Sequence, residues 1–448
     1  MYLQLLQRVW KSINKSDILI ITALIWFLGK FIRYVFPPLF ESLQVSYSVS
    51  TTMLGWTFSA FLFAYALVQF PSGVWSDSFG SVPVISAGIL LASVTTMVLF
   101  LEVPFVGFVV IMVILGASTG VHKTSAVQLL SKIYSSSRGR ALGVFDTFGT
   151  FGGVVAPIAI VVAASIPVPI PGWRILLLTT GLFGLLCAII FRLIVPQNLK
   201  RMELSILTEK NHTSSTQPVH TEQRDDSSAA MSESSPRSSV EWRSYVKLFE
   251  NKNFVLFVII SLLFSFTYYG MVSFLPLYLT EEGSVSSAIA GMLYSIVFVA
   301  SIAQIVSGEL SDKLGALPVI SGALGLATIS MIIFILATDS NLWVLTMSVF
   351  ALGLGVHGFR PVRAVYLMKT LPDQLSAGGF GIVRTLLMLA GAISPGIVGT
   401  LSDVSTFRTA FWVLTSSVLL STVLSLYLLY ISKDSNPSQM GSDPQKFK

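Results

Sequence analysis

Apolar runs of about 20 residues, the length a helix needs to cross a bilayer, recur along most of this chain. Twelve are legible, at about 17–40, 51–76, 82–101, 104–132, 140–166, 172–195, 253–280, 286–311, 316–337, 341–370, 375–402 and 407–432. They fall six and six about a polar stretch at 196–252. Within that stretch, residues 211–240 hold nine Ser, three Thr and no aromatic residue. So little apolar surface cannot bury a core, and the stretch reads as a mobile linker. The pattern predicts an all-α membrane protein of twelve transmembrane helices. Residues 1–195 form one six-helix bundle, 196–252 the linker, 253–432 a second bundle and 433–448 a tail. The first span is long and lacks a small-residue cleavage site, so it is expected to stay in the protein.

Composition narrows the function classes. Of 448 residues, 53% are hydrophobic and only 11% are charged. Soluble domains carry about 25% charged residues, so a soluble enzyme is excluded first. The single cysteine, Cys187, rules out a disulfide scaffold and a cysteine-based zinc site. Four histidines leave little for a metal, and no cofactor is expected. The net charge of +6 needs a place. On one side of the predicted spans, the first, third, seventh and ninth loops hold Glu41, Glu102, Glu281, Glu282 and Asp339 but no basic residue. The other side holds Arg8, Lys11, Lys15, Lys132, Arg138, Arg140, Lys313, Lys369 and Lys433, and the linker adds eight more. The positive-inside rule then puts both termini and the linker in the cytoplasm of a multi-pass cell-membrane protein. Arg174 and Arg408 are left near the outer face.

The halves repeat each other. Gly73-Val-Trp-Ser-Asp77-Ser-Phe-Gly80-Ser-Val-Pro83-Val-Ile-Ser86 aligns with Gly308-Glu-Leu-Ser-Asp312-Lys-Leu-Gly315-Ala-Leu-Pro318-Val-Ile-Ser321, and eight of fourteen positions are identical. Further on, Gly120-Val121-His122 meets Gly355-Val356-His357, and Gly143, Thr147, Gly153 and Pro157 meet Gly381, Thr385, Gly391 and Pro395. Substrate sites in such repeats lie near the midplane between them. The glycines permit a tight turn and close helix approach. Asp77 can cap a helix or pair with Arg138 or Arg140.

The Gly-x-x-x-Asp-x-x-Gly loop after spans two and eight resembles the signature of the major facilitator superfamily. Arg138-Gly-Arg140-Ala-Leu-Gly143 and Gly172-Trp173-Arg174 resemble that family too. The resemblance implies two rocking six-helix bundles and alternating access. It carries a gating role to Gly73, Asp77, Gly80, Arg138, Arg140, Gly308, Asp312 and Gly315. Ser78 and Ser81 stand where that loop usually has basic residues, and the second copy keeps only Lys313.

Six cations lie inside predicted spans: Lys30, Arg33, Lys123, Arg360, Arg363 and Arg384. Each costs ~2.5–3.5 kcal/mol at a helix centre, so lipid exposure of all six would cost ~15–20 kcal/mol. They should face a wet cavity or find counter-ions. The acid well inside a span is Asp146, and one acid cannot neutralise six cations. Lys30 and Arg33 share a helix face, as do His357, Arg360 and Arg363. In the family that the chain resembles, helices one, four, seven and ten surround the central cavity, with two, five, eight and eleven beside them. Arginines there would grip carboxylate or phosphate in bidentate fashion. The candidate substrate ligands are therefore these six cations with His122, His357, Tyr268 and Tyr269. Asp146 is the candidate proton carrier.

No phosphate-binding loop supports ATP-driven transport, and no enzyme constellation stands out. The reading is a secondary transporter, not an enzyme, of a small organic anion such as a carboxylate or phosphate ester. Its charge placement resembles the organic-anion branches of that family. The expected partners are the bilayer, a small anion and protons, with no nucleic acid, around a monomer. The alternative within the family is an exporter of drug-like amphipaths. That pattern fits less well, because Met112 stands where its span-four arginine belongs and its span-five Gly-Pro pair is absent. From another class comes a non-transporting receptor or scaffold.

Overall fold

The computed structural model describes residues 15–135, 137–214, 248–339, 341–372 and 376–434. The rest of the Ser-rich stretch, the tail beyond 434, and Arg8 and Lys11 lie outside the described residues. Twelve of the described helices are long and apolar enough to cross a membrane. The first six are α1 (Lys15–Tyr47), α2 (Thr51–Phe79), α3 (Ser81–Val98), α4 (Phe105–Ile133), α5 (Arg138–Ala164) and α6 (Gly172–Ser214). A 3-10 turn at Leu248–Glu250 precedes α7 (Lys252–Glu281). Next come α8 (Ser287–Leu314, with a 3-10 turn at Ala300–Ile302) and α9 (Ala316–Leu336). The chain closes with α10 (Leu342–Thr370), α11 (Ser376–Val404) and α12 (Phe407–Asp434).

Local chemistry sets the helix starts. Ser50, Asn251, Ser286 and Asn341 cap α2, α7, α8 and α10, each accepting from a backbone N–H of the first turn. The two signature loops are breaks of a single residue. Gly80 stands at φ +87° between α2 and α3, and Gly315 at φ +86° between α8 and α9. A side chain at either position would strain the backbone, which is why both copies carry glycine. Pro37 and Pro38 lie inside α1, which continues to Tyr47 rather than ending near residue 40, so Glu41 is helical. Packed neighbours let a membrane helix tolerate proline. Helix α6 likewise continues past its apolar stretch, Gly172–Gln197, to Ser214, within the segment read as linker.

Packing follows the repeat. In the first bundle α1 lies on α5, α2 on α4, and α3 on α4 and α6; in the second α7 lies on α11, α8 on α10, and α9 on α10 and α12. The bundles meet through α2 against α11, α5 against α8, and α1 against α7. Large apolar side chains such as Phe70, Val106, Leu336 and Trp343 remain exposed outside, as a lipid-facing surface requires.

The two ends of this interface differ. At the end bearing Thr51 and Asp403, the Thr52 amide donates to Asp403 at 2.7 Å, Trp56 donates to Thr400 at 3.2 Å, and the Gly396 amide donates to Ser59 at 2.9 Å. Ser287 on α8 donates to Glu41 on α1 at 2.7 Å, and Ser295 donates to the Val154 carbonyl at 3.0 Å. At the other end, a Cβ added to Gly139, Gly143, Gly308 or Gly381 would meet nothing within 4 Å. One end is closed, and the end bearing Gly80 and Gly315 is open.

Candidate functional site

A cavity of about 400 Å³ lies between the bundles. Its walls come from α1, α2, α4 and α5 on one side and α7, α8, α10 and α11 on the other. All six intramembrane cations line it: Lys30, Arg33, Lys123, Arg360, Arg363 and Arg384. Spacing explains the pairs. Residues three apart on α1 and on α10 project from one helix face, so one rotation of each helix presents both cations.

Lys123 donates to Asp146 and forms an ion pair with it. The Asp146 side chain is 60% exposed and the Lys123 side chain 13%, so the pair sits at the cavity wall with its acid in the open space. Asp146 does not pair with Arg384. Among the described residues, no carboxylate lies within 4.0 Å of the other five cations. Aromatic rings support Lys30, Arg33, Arg360 and Arg363 instead. The Arg33 guanidinium stacks 3.7 Å from the centre of the Tyr65 ring, and that of Arg360 lies 5.3 Å from Tyr268. Lys30 Nζ stands 5.1 Å from the Trp26 ring and Lys123 Nζ 4.7 Å. Ring faces attract cations, but they carry no net charge to cancel them. Arg33 is only 3% exposed, and its Nε has no partner among the described residues. It does not reach for headgroups.

The histidines stand behind the wall rather than on it. His122 is buried against Trp26, with Nε2 3.2 Å from the Thr22 carbonyl. His357 is buried between the rings of Tyr268 and Phe298, and its polar neighbour is the Val297 backbone. Both sequence-nominated tyrosines, Tyr268 and Tyr269, do line the cavity. Sequence reading missed Tyr65, Trp26 and Gln304, which also line it. Gln304 had a usable signal, since it matches Gln69 at the repeat offset, and Gln69 donates across the bundle interface to Met388, which lines the cavity.

The signature-loop residues lie away from the cavity. Asp77 pairs with neither Arg138 nor Arg140; it accepts from Gln128 on α4, inside its own bundle. Arg138 and Arg140 are exposed at the start of α5. With this end open, the elements that would face each other here are apart. At the closed end Arg174 donates to Glu102 at 2.9 Å, and Arg408 donates to Asp339 at 3.0 Å. These are the repeat's two equivalent ion pairs.

The sequence profile of the Major Facilitator Superfamily matches residues 18–301 and 279–447. The chain belongs to the major facilitator superfamily. It is therefore a multi-pass membrane protein whose family and relatives are transporters. It is 23% identical over 407 residues to a cis,cis-muconate transport protein of Acinetobacter baylyi, covering 89% of this chain and 90% of that one. It is 25% identical to a D-galactonate transporter of Escherichia coli, over 86% of this chain and 89% of that one. A sulfoacetate transporter of Cupriavidus necator, described as probable, matches at 23%, over 87% and 88%. The fold superposes on a D-xylose-proton symporter with a TM-score of 0.72 at 17% identity, covering 92% of this chain and 97% of that one. Major facilitator membership gives the repeat, the two bundles and the cavity between them one origin.

Proposed function

We propose that this protein is a secondary transporter that moves a small organic anion across the cell membrane by alternating access. The observation that carries this reading is the charge in the cavity: six cations and one acid line it. With Lys123 held by Asp146, five cations await a counter-charge. Like charges repel more strongly in a low-dielectric cavity than in water. Several such repulsions in one low-dielectric site favour an anion over a neutral or cationic solute. The relatives named for muconate, sulfoacetate and galactonate support the same substrate class. The net positive charge of the lining disfavours a cationic drug.

The basic residues Lys132, Arg138, Arg140 and Lys313 lie at the open end, and Glu102, Glu282 and Asp339 at the closed end. By the positive-inside rule the open end faces the cytoplasm, with both termini and the linker. This conformation is then inward-open. Anion binding cancels repulsion between the bundles, so it lowers the cost of bringing them together on that side. Asp146, exposed in the cavity beside Lys123, is the group best placed to take a proton. Gly73, Asp77, Gly80, Gly308, Asp312 and Gly315, with Arg138 and Arg140, would act when the open end closes.

The test is uptake of labelled carboxylates, sulfonates and phosphate esters into proteoliposomes. Removing one charge-assisted contact costs roughly 2–5 kcal/mol, so Arg33→Ala and Arg360→Ala should each lower apparent affinity at least about thirtyfold. Full transport by both variants would sink the reading.

A further inference from the structure

The free cations are divided between the bundles. Lys30 and Arg33 lie on α1 in the first; Arg360, Arg363 and Arg384 lie on α10 and α11 in the second. A tyrosine seam joins the bundles beside them. Tyr34 of α1 and Tyr268 of α7 meet hydroxyl to hydroxyl at 3.4 Å. Lys30 Nζ lies 5.4 Å from the Tyr34 ring, and the Arg360 guanidinium 5.3 Å from the Tyr268 ring. Cations thus flank the seam on both sides, one set per bundle, and Arg33 is buried with an unpartnered Nε.

A single carboxylate can satisfy one set and leaves the other repelling across the seam. Two acid groups on one short skeleton satisfy both. We propose that the substrate is a two-ended dianion, with carboxylate or sulfonate groups at opposite ends of a short, largely apolar skeleton. One end is held by Arg33 and Lys30, the other by Arg360 and Arg363. This rests on the organic-anion reading above and specifies it. The middle of such a molecule would lie beside Tyr268 and Tyr269, which line the cavity. Because each end is gripped by a different bundle, the substrate ties the bundles together. A one-ended anion cannot do this, so the two-ended form should bind the closing conformation better.

The experiment is ligand-induced thermal stabilisation of the full-length protein in detergent, with matched probes. Hexanedioate is compared with hexanoate, and benzene-1,4-dicarboxylate with benzoate. Glycerol phosphate carries its charges on one group and separates total charge from spacing. At least one diacid should reach half-maximal stabilisation at a concentration about tenfold or more below that of its monoacid. Arg33→Ala and Arg360→Ala should each erase that preference. Arg33→Gln and Arg360→Gln run in parallel as closer isosteres, and ligand-free melting near the parent's marks a variant as folded. Equal response to diacids and monoacids overturns the two-ended substrate and leaves the anion reading intact. So does a stronger response to glycerol phosphate than to either diacid, or a preference that survives both folded charge-removing variants. No response to any of the five anions overturns both.

Discussion

Gly55 tests the rocking of the bundles most directly. It sits on α2 where α11 crosses at the closed end. A Cβ added there would lie 2.5 Å from the Pro395 carbonyl oxygen, 3.2 Å from its carbon and 3.3 Å from Gly399 Cα. These are backbone atoms and cannot rotate away, so in Gly55→Ala the two helices must part. Overpacking of this kind costs ~1–3 kcal/mol. The cost falls only on the conformation in which α2 and α11 touch here. The equilibrium should therefore move toward the opposite conformation by roughly 5- to 150-fold. Gly308 is the control, because a Cβ there meets nothing within 4 Å in this conformation. Gly308→Ala should not favour opening of the closed end. The assay is double electron–electron resonance between spin labels at Ser78→Cys and Lys313→Cys, on a Cys187→Ala background. Both label sites are exposed at the open ends of α2 and α8. Gly55→Ala should deplete the long-distance population and enrich the short one. An unchanged distribution in folded, monodisperse protein would refute the argument. So would an equal shift in Gly308→Ala.

Asp403→Asn removes a carboxylate that accepts from the first turn of α2 across the bundle interface. Such contacts contribute ~0.5–2 kcal/mol, so the same labels should move in the direction of Gly55→Ala, and a shift the other way would contradict a role for this contact in holding the closed end. Asp146→Asn frees Lys123, which leaves six unpaired cations in the cavity. It should bind the anion more tightly and lose stimulation of uptake by an imposed proton gradient; retained stimulation would remove Asp146 from coupling. Glu102→Gln breaks an ion pair with Arg174 whose acid is 86% exposed. Exposed pairs contribute ~0–1 kcal/mol, so thermal melting should hardly change, and a large drop would mean the pair matters more than its exposure suggests.

The sequence determined how many helices there are and which helices carry charge. Apolar length set the twelve spans, because a bilayer enforces it. The repeat placed Gly80 and Gly315 in matching breaks, where a positive φ admits little but glycine. Three-residue spacing put Lys30 with Arg33 and Arg360 with Arg363, since helix geometry fixes what shares a face. Desolvation cost then demanded a cavity, and all six cations line one. What spacing could not supply was the rotation of each helix against its neighbours. His122 and His357 lie one and three residues from cavity cations, yet they face packed rings. Tyr65 looked like any aromatic in an apolar run until α2 turned it onto Arg33. Asp146 had two cations in reach by sequence, and the packing of α4 beside α5 chose Lys123. Asp77 found Gln128 on α4 rather than an arginine at the start of α5. These are contacts between residues far apart in the chain. Periodicity along one helix is silent about them, and only the docking of one helix on another decides them.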